Sequence, residues 1–326
     1  MDMHRRLVVS ALGCTPFATA FGQEPWPARP ITVIVPFGPG GNADILTRDI
    51  TQIASRVLKQ PFVIENRAGS GGAVGIGAAA RARPDGYTIA LASLSQMASL
   101  RHLRTTPLSY DPTRDFEPLT FVGHSAPLWL VAKPSTGFKT LRDMIAYAKA
   151  NPGKLSYGSD GVGSLTHIPG AQLSRDAGIE MIHVPYRGGP FAIQGLMTGE
   201  IDVAFTGVPG PVEHVKTGKI VALATCSESR SAPDMNLPTI AEQGFPGFHF
   251  RSWWGFIAPA GTPRDIVSRL STELGRAVQE PALKAKLESQ GYEIVGGTPE
   301  QFRNRILRDN EAWAVIAKNL NVKIEE

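Results

Sequence analysis

The residues best placed to do chemistry in this chain are glycines and small polar residues in three turns of one design. They are Phe37-Gly38-Pro39-Gly40-Gly41-Asn42, Arg67-Ala68-Gly69-Ser70-Gly71-Gly72 and Ser159-Asp160-Gly161-Val162-Gly163-Ser164. Each follows a strand-like run and opens a stretch with helical periodicity. A helix start leaves its first backbone N–H groups unpaired, and the helix dipole favours an anion there. Glycine lets the backbone approach that anion with no Cβ in the way. Tyr186-Arg187-Gly188-Gly189 is a fourth such turn, and its guanidinium fork and phenol suit a second anionic group. The predicted chemistry is capture of one carboxylate or two.

Other chemistries fit less well. Gly38, Gly40 and Ala43 match the G-x-G-x-x-A dinucleotide fingerprint, with Glu65 ending the next strand. The alternative reading is therefore a dinucleotide-dependent enzyme using that turn. Against it, Asp44 in the first helical turn suits free N–H groups but would repel a pyrophosphate. There is no G-x-S-x-G elbow, the seven His show no paired spacing, and the two Cys form no metal-binding pattern. No catalytic residue, metal or cofactor is expected, and the chain reads as a non-enzyme. His167 follows the third turn and Asp202 stands at a strand start. Trp253 and Trp254 read as core or hinge residues, the alternative being that one lines the cleft; core is the preferred reading for both.

The elements that position these turns alternate. Strand and helix patterns follow one another from Ile31 to Ala92 and restart at Leu141, which implies sheets with helices on their faces. The stretch 105–118 reads as loop. Three helices near 263–279, 281–289 and 299–318 lack a fresh strand series and are expected to pack back on the first unit. The fold class is α/β: two lobes, each a mainly parallel sheet flanked by helices, joined by a hinge crossed twice. The expected boundaries are 23–125 plus 252–326 for lobe 1 and 126–251 for lobe 2.

The first 22 residues read as a secretory signal: Arg5-Arg6, an apolar stretch, and small residues before a cut near residue 22. Cys14 lies near a lipoprotein box with the apolar residue one place off, so lipidation is not expected. After cleavage Cys226 is the single thiol and no internal disulfide can form. The 326 residues are 42% hydrophobic and carry a net charge of +4, which removal of 1–22 reduces to +3. The basic residues are scattered, which gives no footprint for nucleic acid.

The four turns in order, with Pro36, Asn66, Tyr157, His167 and Val184-Pro185 around them, resemble those of the tripartite tricarboxylate transporter substrate-binding proteins, the Bug or TctC-like family. The resemblance runs over residues 26–326. It implies a two-lobed periplasmic receptor that captures a small carboxylate, for uptake or sensing. In some members it implies delivery to a membrane transporter. It further implies that the loops at 37–44 and 159–164 hold one carboxylate through backbone groups and ordered waters. That places Phe37, Gly40 and Gly41 on one side and Ser159, Gly163 and Ser164 on the other. Ser70, Ser93, Ser125, Tyr186 and Asp202 join them at strand ends, with His167 close by. A monomer is expected.

Overall fold

The computed structural model describes residues 26–230 and 236–320. The expected leader, with Cys14, lies outside the described residues. In chain order the first part runs β1 (Ile31–Val35), α1 (Asn42–Leu58), β2 (Phe62–Asn66), α2 (Ala73–Ala80), β3 (Thr88–Ser93), α3 (Leu100–Leu103) and β4 (Phe116–His124). The middle part runs β5 (Leu128–Ala132), α4 (Leu141–Ala150), β6 (Leu155–Ser159), α5 (His167–Ala177), β7 (Met181–Pro185), α6 (Gly189–Thr198), β8 (Val203–Gly207), α7 (Val212–Lys216) and β9 (Val221–Thr225). The last part runs β10 (Trp253–Pro259), α8 (Arg264–Val278), α9 (Pro281–Ser289), β11 (Glu293–Ile294) and α10 (Pro299–Leu320).

Two mixed sheets carry the fold, in the orders β11-β4-β10-β3-β1-β2 and β7-β6-β8-β5-β9. Strands β1, β2 and β3 are parallel, and β10 lies antiparallel between β3 and β4. Hence β1 to β4 all point one way. In the second sheet β6, β7 and β8 are parallel and β5 is reversed between β8 and β9. Each lobe is therefore mainly parallel in strand direction; in each, the first strand the chain builds after a crossing is reversed, and the short edge strand β11 is reversed as well. This polarity aims the carboxyl ends of the major strands in both sheets at one cleft. The two crossings run side by side: Ser125 N–H donates to Ser252 O at 2.9 Å, and Ser252 N–H donates to Ser125 Oγ at 3.1 Å.

The local reasons are ordinary. Strand β1 is a β-branched run with its apolar side chains in the core. Helix α1 buries Leu46, Ile50, Ala54 and Leu58 on one face, and ends at Lys59 with φ 54° before Pro61. The last three helices do return to the first sheet: α8 packs on α1 and β4, α9 on β11, and α10 on β4. Two stretches differ from the expectation. Strand β4 starts inside the supposed 105–118 loop, because Pro118 falls at an irregularity in the β4–β10 ladder where its missing N–H is tolerated. After β3, Ser95–Ser99 winds as a wide π-helical turn into α3, burying Met97, Ala98, Leu100 and Leu103.

Candidate functional site

The strand ends of the two sheets enclose a cavity of about 290 Å³. Its first wall is the turn between β1 and α1, where Phe37, Gly40, Gly41, Asn42 and Ala43 face the space. Gly40 adopts φ 76°, a conformation that favours glycine. Its N–H donates to Asp44 Oδ2 at 3.0 Å. Asp44 also accepts from Arg48 Nε and Nη2 and from Asn66 Nδ2, all at 3.0 Å, and Asn66 donates onward to Phe37 O. Burial alone would raise the Asp44 carboxyl. The hydrogen bonds from Arg48, Gly40 and Asn66, with the Arg48 charge, outweigh it and hold the group below its ordinary range. Asp44 thus stays ionised and fixes the turn from behind. Gly40 N–H is committed to it, and Gly38 N–H is committed to Arg187 O at 2.8 Å. The N–H groups of the first turn of α1 are left for an anion.

The second wall is the turn between β6 and α5. Asp160, Ser164, Leu165 and Thr166 face the cavity. Ser159, Gly163 and His167 stand behind them. Ser159 Oγ, fully buried, meets His183 Nε2 at 2.7 Å and accepts from Gly161 N–H at 3.1 Å. Gly163 N–H donates to His167 Nδ1 at 3.0 Å, and the His167 and His183 rings stack at 3.9 Å. Burial lowers His167 to about 4; burial, then the neighbouring His167, lowers His183 to about 3. Both rings are neutral at pH 7, which lets His167 Nδ1 accept. Ser164 Oγ and Thr166 Oγ1 pair at 2.9 Å, and Thr166 Oγ1 accepts from Asp160 N–H at 2.7 Å.

Of the residues expected at the site, Phe37, Gly40, Gly41, Ser93, Ser125 and Ser164 line the cavity. The Ser93 hydroxyl is spent on Gln96 Oε1 at 2.7 Å. Ser159, Gly163 and His167 shape the turn without facing the space. Ser70, with φ 49°, does not line it. The Tyr186 hydroxyl lies against Gly195 of α6, and burial and Glu200 push it up to about 12. Asp202 lies at the far end of β8, ion-paired to Lys133 at 2.8 Å and accepting from Ser156, so it does not reach the cleft. The sequence reading placed Asn42 and Asp160 in the right turns without assigning them to the site, missed Thr166, Ile193 and His214, and favoured the core for Trp254. Trp254 in fact walls the cleft beside Phe37, edge to face at 6.1 Å, whereas Trp253 is fully buried and donates to Asp309.

The walls touch across the cleft. Besides Gly38–Arg187, Asn42 Nδ2 donates to Val208 O at 2.7 Å and Ser95 Oγ donates to Gly163 O at 3.0 Å. The arrangement is closed and can enclose a small solute. It gives the dinucleotide reading no support: Asp44 occupies the place beside Gly40 where a pyrophosphate would need free N–H groups, and Glu65 is paired with Arg67.

Comparison with known proteins agrees with this geometry. Residues 46–322 match the family model described as tripartite tricarboxylate transporter family receptor. Protein BugT of Bordetella pertussis is 33% identical over 329 residues, covering 100% of both chains. The structure of the periplasmic binding protein BugD superposes with a TM-score of 0.86 at 29% identity, over 91% of this chain and 99% of that one. The R. palustris protein Rpa4515, solved with adipate, superposes with a TM-score of 0.85 at 32% identity over the same shares.

Proposed function

The chain belongs to the tripartite tricarboxylate transporter receptor family, and from that premise we propose that it is a periplasmic receptor that encloses a small carboxylate between its lobes. It binds its solute without converting it. The observation that carries this reading is the closed cavity, walled on one side by the first turn of α1 and on the other by Ser164–Thr166. A ligand carboxylate there would accept from backbone N–H groups in a setting shielded from water, which strengthens each hydrogen bond. The adipate bound to Rpa4515 supports the ligand class. In this reading residues 126–251 move as the second lobe against 23–125 with 252–326. Residues 1–22 are the export signal, and the mature protein is a monomer that passes its ligand to a membrane transporter. Titration calorimetry against mono- and dicarboxylates tests it. Binding of none of them, with binding of a nucleotide instead, would sink it.

A further inference from the structure

One charged side chain of the cleft is left without a partner. Asp160 follows the last residue of β6 and faces the cavity. Its N–H is tied to Thr166 Oγ1, which fixes the backbone from which the carboxylate projects. Its Oδ1 is sealed from solvent with no hydrogen-bond partner, close to the Gly188-Gly189 turn: a Cβ built on Gly189 would lie 3.6 Å from it. Among the described residues, no lysine or arginine lines the cavity. The other lining polar side chains are hydroxyls, the Asn42 amide, His214 of α7 and the Trp254 indole, whose buried Nε1–H is a neutral donor without a partner. The first turn of α1 can compensate one ligand carboxylate. No lysine or arginine on the described lining pairs with Asp160, and an unpaired charge in a water-poor site is unfavourable.

Resting on the carboxylate-receptor reading, we propose that the ligand is a small carboxylate that also carries a protonated nitrogen, and that Asp160 selects it by pairing with that nitrogen. The ligand's ammonium N–H donates to the orphaned oxygen while its carboxylate turns to α1. A second ligand carboxylate at the same place would meet a like charge, so dicarboxylates are selected against.

The protonation equilibrium gives the proposal a signature. Burial pushes the Asp160 carboxyl up to about 7, so near neutral pH the closed cleft holds it partly protonated. A cationic nitrogen binds the carboxylate form, so affinity rises with pH up to and through about 7, and below it falls toward tenfold per unit. The ionisable groups around Asp160 are His167 and His183 behind its loop, Arg187 on the turn before α6, and His214 of α7, which lines the same cavity from the same lobe. His167 and His183 are held neutral at about 4 and about 3 and do not titrate between pH 6 and 8. His214 is controlled by His214→Gln.

Calorimetry of the full mature protein with alanine, β-alanine and 4-aminobutyrate, against lactate, propionate and succinate, tests this at pH 6, 7 and 8. An amino acid should bind at least tenfold tighter than the acids without nitrogen, more tightly at pH 8 than at pH 6. Asp160→Asn should remove both the preference and the pH slope, and His214→Gln should leave both. Succinate or propionate binding as tightly as every amino acid, or tightening as pH falls, would overturn the proposal while leaving the carboxylate receptor standing. So would a preference that survives Asp160→Asn. Binding of no carboxylate by the wild-type protein would instead bring down the receptor reading, and the proposal with it.

Discussion

Asp44 and the two stacked histidines do their work one layer behind the ligand. Replacing Asp44 by Ala leaves Gly40 N–H unpaired, leaves the Asn66 amide only its bond to Phe37 O, and frees Arg48. The expected loss is about 2–3 kcal/mol in denaturant unfolding, together with weaker ligand binding by calorimetry. His167 and His183 make stability depend on pH. Their ordinary value is about 6.5, and in the folded protein they lie at about 4 and about 3. As pH falls, the unfolded chain takes up protons before the folded one does. Stability is therefore full above about 6.5 and drains away as pH drops toward 4. Urea unfolding at pH 7 and pH 5 should show this drop in the wild type and a smaller one in a His167→Asn/His183→Gln variant. Equal drops would mean that other groups carry it. At this scale the sequence was only partly legible. Glycine and serine marked the right turns, but successive residues at a strand end point to opposite sides. That alternation sends Ser159 inward and Asp160 to the cleft, and likewise buries Trp253 while exposing Trp254 to the ligand space. No residue type signals which of two neighbours faces which way.

The turns themselves act as elements that must fit against each other. Gly71, with φ 61°, lies where a Cβ would come within 2.6 Å of Val162 O and 3.1 Å of Ser164 N in the opposite lobe. Gly71→Ala should therefore hinder closure more than folding. We expect affinity to fall roughly tenfold or more, equivalent to about 1.4 kcal/mol, beyond the loss of about 1 kcal/mol that alanine in the left-handed region brings to ligand-free stability. Unchanged affinity would show that the lobes can close with an extra methyl there. Strands and helices at this scale were largely legible, because β-branched runs, helical apolar spacing and glycine turns alternate clearly along most of the chain. The π-helical turn at Ser95–Ser99 was not, since its burial comes from α10 and other elements distant in sequence.

For the whole molecule, binding in the closed cleft couples the two lobes to the ligand. A ligand that binds only the folded protein adds about 2.7 kcal/mol at a hundred times its dissociation constant. Differential scanning calorimetry should show the melting temperature rising by several degrees with the cognate acid, and small-angle scattering should show a smaller radius of gyration. An unchanged radius would mean that the lobes are already closed without ligand.

On the proposed export of the chain, the placement of β10 between β3 and β4 also sets an order of events. A chain that emerges amino end first presents β5 to β9 as one uninterrupted run, so the second sheet can form as soon as residue 225 has crossed. The first sheet cannot join β3 to β4 until β10 arrives, near residue 259. Until then β3 and β4 each have an unpaired edge inside what becomes the core. The half of the molecule that begins first is thus finished last. In that interval its exposed strands are the part of the chain most in need of protection from aggregation.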